Sequence, residues 1–353
     1  MERWVDAADP GRVHTEGRMA RAALEDARDK VAGFFGTRSR QVIFTSGATE
    51  AINAAAFGAF QAAPGTAALV ADVEHSAVRE ASVLHAGGTL SLRVDAHGRI
   101  DVAHLAGLLA GAGIGLVQCQ WANQEVGTLQ PVREVVAECR ARGVLVHVDA
   151  AAAAGHVPID FDEIGADLMS VSAHKLGGPR GAGALLVRRG LRIAPLLVGG
   201  AQERARRAGL ENVAAAAGFG AAAQELEGAA LEAEATRAAA QCDRLRSVAS
   251  AIAGAELYGP AEPSLRLPNL MCLGVAGVEA EGVLVGLDQA GVAAHSGSAC
   301  SSETLEPSPV LAAMRVNAEH SLRLSVGWST TPDDVDRAAR ALPDVIERLR
   351  ALG

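Results

Sequence analysis

Two hydrophobic periods alternate along the first half of the chain. Apolar residues three and four apart predict a helix over 16–35, and Gly36 supplies its stop. Short β-prone runs then alternate with further helical segments, a pattern that implies right-handed crossovers and a mostly parallel sheet. The sequence therefore predicts an α/β fold. Its predicted strands are 42–45, 68–71, 90–94, 114–121, 144–148, 168–172 and 183–187, and the helices between them include 101–110 and 131–142.

The pattern changes after residue 211. An alanine- and glutamate-rich segment, 212–250, predicts one long helix that bridges two domains. The last helix is predicted to begin at Thr331, which is a suitable N-cap residue. Pro332 follows in the first turn, and Asp334 lies three residues after the cap. Because domains average about 150 residues, we expect one domain over 1–235 and a second over 236–353. The second is predicted as a smaller α/β unit with strand 269–275, helix 279–290, loop 295–304, helix 308–314 and strand 322–326.

Composition narrows the class of protein. With 49% hydrophobic residues, the 353-residue chain can bury a large core. The net charge of −9, without a lysine- or arginine-rich block, argues against nucleic acid and anionic membrane as partners. No apolar run reaches the roughly 18 residues of a membrane span, and no signal pattern opens the chain. Five scattered cysteines lack disulfide and metal-site spacing, so we expect a cytoplasmic protein without a metal.

A lysine lies where a predicted strand meets a glycine-rich turn. Lys175 follows the run 168–172 and precedes a Gly-Gly pair. A desolvated amine that faces open backbone can form a Schiff base with an aldehyde cofactor. Ser172 and His174 are hydrogen-bond donors beside it that could hold a phosphate. A surface turn with a solvated lysine is the competing interpretation.

A phosphate cradle is predicted at 46–50, where a strand, a glycine turn and a helix N-terminus follow one another. The amides and the dipole of a helix N-terminus attract a phosphate, although an ordinary strand-to-helix turn has the same pattern. In open α/β sheets, ligands bind beyond the carboxyl ends of the strands. His75, Asn123, Asp149 and Lys175 all lie at or just past predicted strand ends, so we expect them to converge.

Three stretches of sequence resemble one family. They are Ser-x-Ser-Ala-His-Lys-x-x-Gly-Pro-x-Gly-x-Gly at 170–183, Thr-Ser-Gly-Ala-Thr-Glu at 45–50 and the glycine-serine loop 296–302. They are similar to segments of group I cysteine desulfurases, within the class V aminotransferase-like family, and the likeness runs from about Asp9 to the C-terminus. The resemblance implies pyridoxal 5'-phosphate as cofactor and fold type I of its enzymes, a large domain followed by a smaller C-terminal α/β domain.

The resemblance also implies an activity. The protein would convert L-cysteine to L-alanine, hold the sulfur as a persulfide on Cys300 and deliver it to an acceptor protein. Segment 199–204 matches a family loop that reaches the partner's active site, so we expect a homodimer. The acceptor stays open between an iron–sulfur cluster assembly scaffold, a tRNA modification enzyme, a DNA modification system and a biosynthetic carrier.

Individual roles follow from the same resemblance. Lys175 would carry the cofactor, Asp149 would keep its pyridine nitrogen protonated, and His75 would stack on the ring and carry a proton. Taken alone, Asp149 could equally be a helix cap and His75 a surface residue. Arg323 would bind the substrate carboxylate through two of its guanidinium nitrogens, unless its face of the strand meets solvent. The phosphate would be held by the Ala48 backbone, Thr49, Ser172 and His174, and the amides of Asn123 and Gln124 would reach cofactor and substrate.

Cys300 is the candidate nucleophile. It lies in a small, polar loop that gives a thiol no packing role, and loop motion would carry the persulfide to the acceptor. Cys119, Cys139, Cys242 and Cys272 fall in predicted strands or helices, where a thiol is a small apolar filler.

Three features depart from the family. The chain begins after the Asn-Ala-Ala-Thr-Thr-like turn that helps to bind the substrate carboxylate. Ala152 replaces a glutamine that bonds the cofactor's phenolic oxygen, and Leu210 replaces a threonine that contacts the neighbouring subunit's phosphate. Each lost hydrogen bond costs about 1 kcal/mol, so we expect weaker cofactor retention.

Two other functions remain open. One is a selenocysteine lyase or another class V pyridoxal-phosphate enzyme, although a transaminase has no need of the thiol of Cys300. The other is a weakly active cofactor-binding scaffold for a partner protein, which the three departures support.

Overall fold

Two compact units make up the part of the chain that the structure describes. The computed structural model describes residues 1–111, 113–296 and 308–352. The predicted domain boundary after residue 235 remains a prediction about folding domains. The first unit comprises 1–92, 102–121 and 131–231, and the second comprises 93–101, 122–130 and the chain from 232 onwards.

A seven-stranded sheet forms the centre of the first unit, in the order β1-β7-β6-β5-β4-β2-β3. Neighbours from β6 to β3 run parallel, whereas β7 runs antiparallel to both β6 and β1. The predicted α/β fold with a mostly parallel sheet is therefore confirmed. The strands are β1 (Val42–Thr45), β2 (Ala67–Ala71), β3 (Thr89–Leu92), β4 (Ile114–Gln120), β5 (Leu145–Asp149), β6 (Leu168–Ser172) and β7 (Gly183–Val187).

Helices cover this sheet because their apolar residues share one face. In the second helix, Ile52, Ala56 and Phe60 recur at helical spacing and pack against Val70 and Leu116 of the sheet. Small alanine side chains let the helix approach the strands closely. The helices of this unit are α1 (Thr15–Phe34), α2 (Ala48–Ala62), α3 (Ser76–His85), α4 (Val102–Leu109), α5 (Val132–Arg140), α6 (Phe161–Ile164), the irregular turn α7 (Gln202–Ala205) and α8 (Val213–Glu225).

The prediction of one continuous helix over 212–250 is wrong. The segment forms α8 and a separate helix, α9 (Ala229–Ser250), with Gly228 between them in the left-handed region at φ 61°. A glycine adopts that conformation without steric cost, so the chain turns there. Among the residues described, no helix combines the length and the apolar character needed to cross a membrane.

A four-stranded antiparallel sheet organises the second unit, in the order β10-β11-β9-β8. Its apolar face packs with α9 and the last helix around Met271, Leu273 and Leu342. The predicted cap of that helix is confirmed, because Thr331 and Asp334 bond each other's backbone N–H in a capping box. The elements are β8 (Ala255–Tyr258), β9 (Leu270–Val275), α10 (Ala280–Gln289), β10 (His295–Ser296), α11 (Pro309–Ala313), β11 (Ser321–Ser325) and α12 (Pro332–Arg350).

Candidate active site

The candidate lysine lies just past the end of β6. Lys175 belongs to a 3-10 turn, Ala173–Leu176, which opens the connection 173–182 between the antiparallel strands β6 and β7. Two glycines follow this turn. Gly177 is left-handed at φ 84°, and a Cβ on Gly178 would lie 2.9 Å from the carbonyl oxygen of Ala173. The turn leaves the side chain of Lys175 exposed, where a ligand can reach its amine.

An anion cradle adjoins this connection. A Cβ on Gly183 would lie only 2.6 Å from Gly47 Cα, so the glycine brings β7 against the turn that opens α2. The first amides of α2 have no partner within the helix and point along its axis toward an anion. Ser172 ends β6 near this turn, and its Oγ lies 2.8 Å from His174 Nδ1. Two side-chain donors and a helix N-terminus are thus presented together.

Asp149 and His75 lie within electrostatic range of Lys175. Burial raises the pKa of Asp149, while the Ala151 amide and the charges of His75 and Lys175 lower it. Burial lowers the pKa of His75, the charge of Asp149 raises it, and those of Lys175 and Arg79 lower it. The expected convergence is therefore seen for His75, Asp149 and Lys175. The strand-end rule placed them correctly because β2, β5 and β6 run parallel.

The tautomer of His75 follows from its position at the start of α3. Its Nδ1 accepts a hydrogen bond from the Ala77 amide at 3.1 Å, as a helix cap does. A neutral imidazole with Nδ1 engaged as acceptor carries its proton on Nε2. Nε2 is therefore the ring atom available for proton exchange.

Beneath Asp149, a buried histidine ties three strands together. His147 precedes Asp149 by two residues on the same face of β5, with Nδ1 2.6 Å from Gln118 Oε1 and Nε2 2.7 Å from Ser170 Oγ. Burial lowers the pKa of His147 to about 3, so the ring is neutral. The network fixes the spacing of β4, β5 and β6 below the site.

Two charged residues beside the cradle were missed by the sequence analysis. The Glu50 carboxylate accepts from the Ser46 amide at 2.8 Å and pairs with Arg207 Nε at 2.8 Å. Burial raises the pKa of Glu50, and the Arg207 and Ser46 bonds more than offset it, so the pKa lies below its usual value. Glu50 closes the motif at 45–50, which was the only signal that the sequence offered.

A buried ion pair fixes the segment that contains Arg207. Glu203 accepts from Arg28 Nη1 at 2.6 Å and from Nη2 at 2.7 Å, and also from the Phe44 amide at 2.9 Å. Glu203, Arg204 and Ala205 all take left-handed φ values, an uncommon run for residues with a Cβ. The side chain of Leu210, further along this segment, is 63% exposed.

In the second unit, Asn123, Gln124 and Arg323 lie around one turn. Asn123 is fully buried, and its Oδ1 accepts from the Glu125 and Val126 amides at 2.8 and 2.9 Å. Arg323 is half-buried on β11 and donates from Nη1 to the Gln124 carbonyl at 3.0 Å. Their assigned ligand contacts stay predictions.

Cys300 lies outside the described residues, which stop at 296 and resume at 308. The described residues on either side of it have partners in the second unit. His295 pairs with Arg323 where β10 meets β11. On the far side, the Ser308 hydroxyl donates to the buried Glu125 carboxylate. Both ends of the candidate loop are thereby attached to the second unit.

The other four cysteines are inert by burial. Cys119 and Cys139 are buried in the first unit, and Cys242 and Cys272 in the second. Burial raises the pKa of Cys139, Cys242 and Cys272 to about 12 and that of Cys119 well above its usual value. Their prediction as apolar fillers in strands and helices is confirmed.

Comparison with known proteins defines the class. The aminotransferase class-V family model matches residues 6–338. The chain therefore belongs to this family. A solved structure, the NifS-like protein from Rickettsia africae, superimposes with a TM-score of 0.89 at 26% identity, covering 98% of this chain and 94% of that one. The predicted fold type I architecture is thus confirmed.

Curated relatives narrow the class further. The cysteine desulfurase IscS 1 of Archaeoglobus fulgidus is 39% identical, covering 98% of this chain and 91% of its own length. The cysteine desulfurase IscS of Dictyoglomus turgidum is 40% identical, with 98% and 89% covered. Within the class-V family, the chain is thus a member of the cysteine desulfurases.

Proposed function

We propose that the protein is a pyridoxal-phosphate-dependent cysteine desulfurase that takes sulfur from L-cysteine onto Cys300. The observation that carries the proposal is the joint placement of Lys175, His75 and Asp149 beside the anion cradle. These residue types supply an amine, a proton carrier and an acid to one site.

The residues present fit the cofactor. Burial raises the pKa of the Asp149 acid despite the charges of His75 and Lys175, and a protonated pyridine nitrogen beside it would stabilise its charged form. The α2 N-terminus with Ser172 and His174 suits a phosphate dianion. When bound, the cofactor would accept the electrons that remain on the substrate carbon. Lys175 would hold it covalently.

His75 and Asp149 have separate duties. The neutral imidazole of His75, whose pKa burial lowers, holds a proton at Nε2 that it can share with a bound group through a hydrogen bond. Asp149, oriented by the Ala151 amide at 3.0 Å, would present a negative charge to the cofactor's pyridine nitrogen at the end of β5. Arg323, already held by the Gln124 carbonyl, is proposed to bind the substrate carboxylate.

Sulfur transfer is assigned to Cys300. Its thiolate attacks the sulfur of bound cysteine, so a sulfur–sulfur bond forms while the bond between the substrate's sulfur and Cβ breaks. The electron pair of the broken bond stays with the carbon, which takes up a proton and leaves as L-alanine.

Replacing the two reacting residues tests the function. Cys300→Ser should still bind cofactor and change its spectrum with L-cysteine, yet form neither alanine nor a protein persulfide. Lys175→Ala should fold but hold no borohydride-reducible cofactor. The proposal fails if cysteine-treated wild type carries its persulfide on another cysteine, or if the reducible adduct lies on another lysine.

Three further properties belong to this proposal. A homodimer is proposed from segment 199–204, and a fully active monomer in light scattering would contradict it. The cytoplasm is proposed because the four described cysteines are free thiols, as in a reducing compartment. The persulfide is proposed to pass to an acceptor protein, and iron–sulfur cluster assembly is one such use.

A weakly active scaffold is the second candidate, favoured by Ala152 and by the exposed Leu210. If those substitutions weaken cofactor retention, Ala152→Gln with Leu210→Thr should bind pyridoxal phosphate more tightly than wild type. Equilibrium dialysis measures the change. Unchanged affinity would mean that other residues already supply the two hydrogen bonds.

A further inference from the structure

A second acid lies in the interior beside the site, and the proposed mechanism gives it no part. Glu74 is only 1% exposed and lies between β2 and α3, directly before His75. Its Oε1 accepts from the Gln120 amide at 2.6 Å. Its Oε2 is buried and has no hydrogen-bond partner within the described residues. A buried carboxylate with a single donor is unfavourable, so the arrangement needs an explanation.

Gln120 links Glu74 to the site residues. It ends β4, opposite Asp149 in the parallel ladder, and its Nε2 donates to the Val73 carbonyl at 3.0 Å. The next amide, that of Trp121, donates to the Asp149 carbonyl at 2.7 Å. Hydrogen bonds therefore run from the loop that carries Glu74 and its neighbour His75, across the end of β4, to the residue that presents the acid.

We propose that Glu74 is a positioning residue that works as a neutral carboxylic acid. It fixes the end of β4 to the loop that carries His75, and it leaves Asp149 without a second negative charge beside it. The inference rests on the proposed roles of His75 and Asp149, and it assigns Glu74 no contact with substrate.

The charges around Glu74 support a proton on it. Burial and the nearby charge of Asp149 raise the pKa of Glu74 to about 8, against a smaller lowering by the Gln120 amide and Arg79. On the facing strand, burial and the Glu74 charge raise the pKa of Cys119, so that thiol is neutral. Protonation removes the buried charge, and an Oε2 without a hydrogen-bond partner is less unfavourable on a neutral carboxyl than on an anion. Ionisation would place a like charge beside Asp149 and oppose its own ionisation.

Two replacements separate the bond from the charge. Glu74→Gln keeps an acceptor for the Gln120 amide and cannot ionise, whereas Glu74→Leu keeps the volume and removes the acceptor. In the full-length protein as purified, the peptide that contains Gln120 should exchange its amide hydrogen about tenfold faster in the leucine variant. The glutamine variant should protect it better, and Glu80→Gln, at an exposed site on α3, serves as control.

The charge state of Glu74 is measured in two ways, by NMR titration of its carboxyl and by the pH dependence of alanine formation. With ¹³C-labelled glutamate carboxyls, the signal lost in Glu74→Gln should titrate near pH 8 in wild type. Alanine formation by wild type should decline above that pH, while the decline of the glutamine variant shifts upward by about one unit. The leucine variant should have a lower kcat across the range.

Clear outcomes overturn the inference. If the Glu74 carboxyl titrates below about pH 5, Glu74 is not a neutral acid at physiological pH and that part of the inference is refuted. Superimposable pH profiles of wild type and the Glu74→Gln variant would also refute the neutral acid. If the Gln120 amide is as well protected in the Glu74→Leu variant as in wild type, the positioning role of Glu74 is refuted. A wild type that forms no alanine refutes the proposed function instead, while the exchange and titration experiments still decide the state of Glu74.

Discussion

Two buried glutamates of the first unit, Glu74 and Glu203, are accommodated in opposite ways. Glu203 is 4% exposed and receives three hydrogen bonds, two from the Arg28 guanidinium and one from the Phe44 amide. Glu74 is more deeply buried and receives one, from a backbone amide. Both carboxyls are almost wholly buried, so the number and charge of their donors are what distinguish the two environments.

The difference suits two kinds of task. Glu203 anchors the left-handed turn Glu203–Ala205, whose conformation costs of order 1 kcal/mol per residue and persists only where the surroundings hold it. The bidentate ion pair between Arg28 and Glu203 stabilises the turn in this conformation. Glu74 lies beside Asp149, where a second anion would disturb the acid of the site, so a neutral group serves better there.

The largest expected effect comes from removing the cation of the buried pair. Arg28→Met leaves Glu203 buried without its counter-charge, which should lower the free energy of unfolding by about 3–5 kcal/mol. Urea denaturation measures it, with Arg133→Met as control because the Arg133–Glu163 pair is exposed on both sides. A loss below about 1 kcal/mol would put the buried pair on a level with that surface pair.

A pH dependence tests the other half of the comparison. The pKa of Glu74 is about 8 in the folded protein and near 4.5 in the unfolded chain, so the folded state binds the extra proton between those values. Its stabilising contribution is complete at low pH and is lost as the pH rises through 8. Between pH 5 and 8, wild type should lose about 3 kcal/mol relative to Glu74→Gln. Parallel pH curves for the two proteins would refute the assignment.

Removing both charges of the buried pair sharpens the contrast with Glu74. Arg28→Met combined with Glu203→Leu leaves no uncompensated ion, so the double variant should recover to within about 2 kcal/mol of wild type. The remaining loss reflects the Phe44 amide and the unanchored turn. Strictly additive losses in the double-mutant cycle would show that the two side chains do not interact.

The smallest effect is expected at the half-buried acid of the cradle. Glu50→Gln should cost about 1 kcal/mol or less at neutral pH, because solvent screens the pair with Arg207. The pKa of Glu50 is lowered in the folded protein, so its contribution is present at neutral pH and is lost as the pH falls through that value. The pH trend is thus opposite to that of Glu74. A difference between wild type and variant that grows toward acid pH would contradict it.

Local signals explain why much of the fold was predictable. The cap at Thr331, the strand at 42–45 and the order of strands and helices depend on residues within one turn or one period of each other. The break at Gly228 and the reversal of β7 were not foreseen. The sequence alone does not show whether a glycine in an alanine-rich segment ends a helix. The direction of a strand depends on partner strands elsewhere in the sequence.

The site divides in the same way. His75, Asp149 and Lys175 were placed together because parallel strands bring their carboxyl ends to one edge. Asn123 follows β4 by the same rule, yet its turn belongs to the second unit and its Oδ1 bonds that turn. The Arg28–Glu203 pair joins residues 175 positions apart, so no local pattern could reveal it.

The reversed strand β7 sets the order in which the chain can assemble during synthesis. It pairs with β6 across the connection 173–182, but also with β1, whose Val42 lies opposite Leu186. A ribosome adds about 5–20 residues per second, so β1 waits on the order of 10 seconds or more for its neighbour. Such a distant pairing closes a long loop and forms slowly. Throughout that interval the nascent chain carries an unmatched strand edge, open to a chaperone or to another copy of itself.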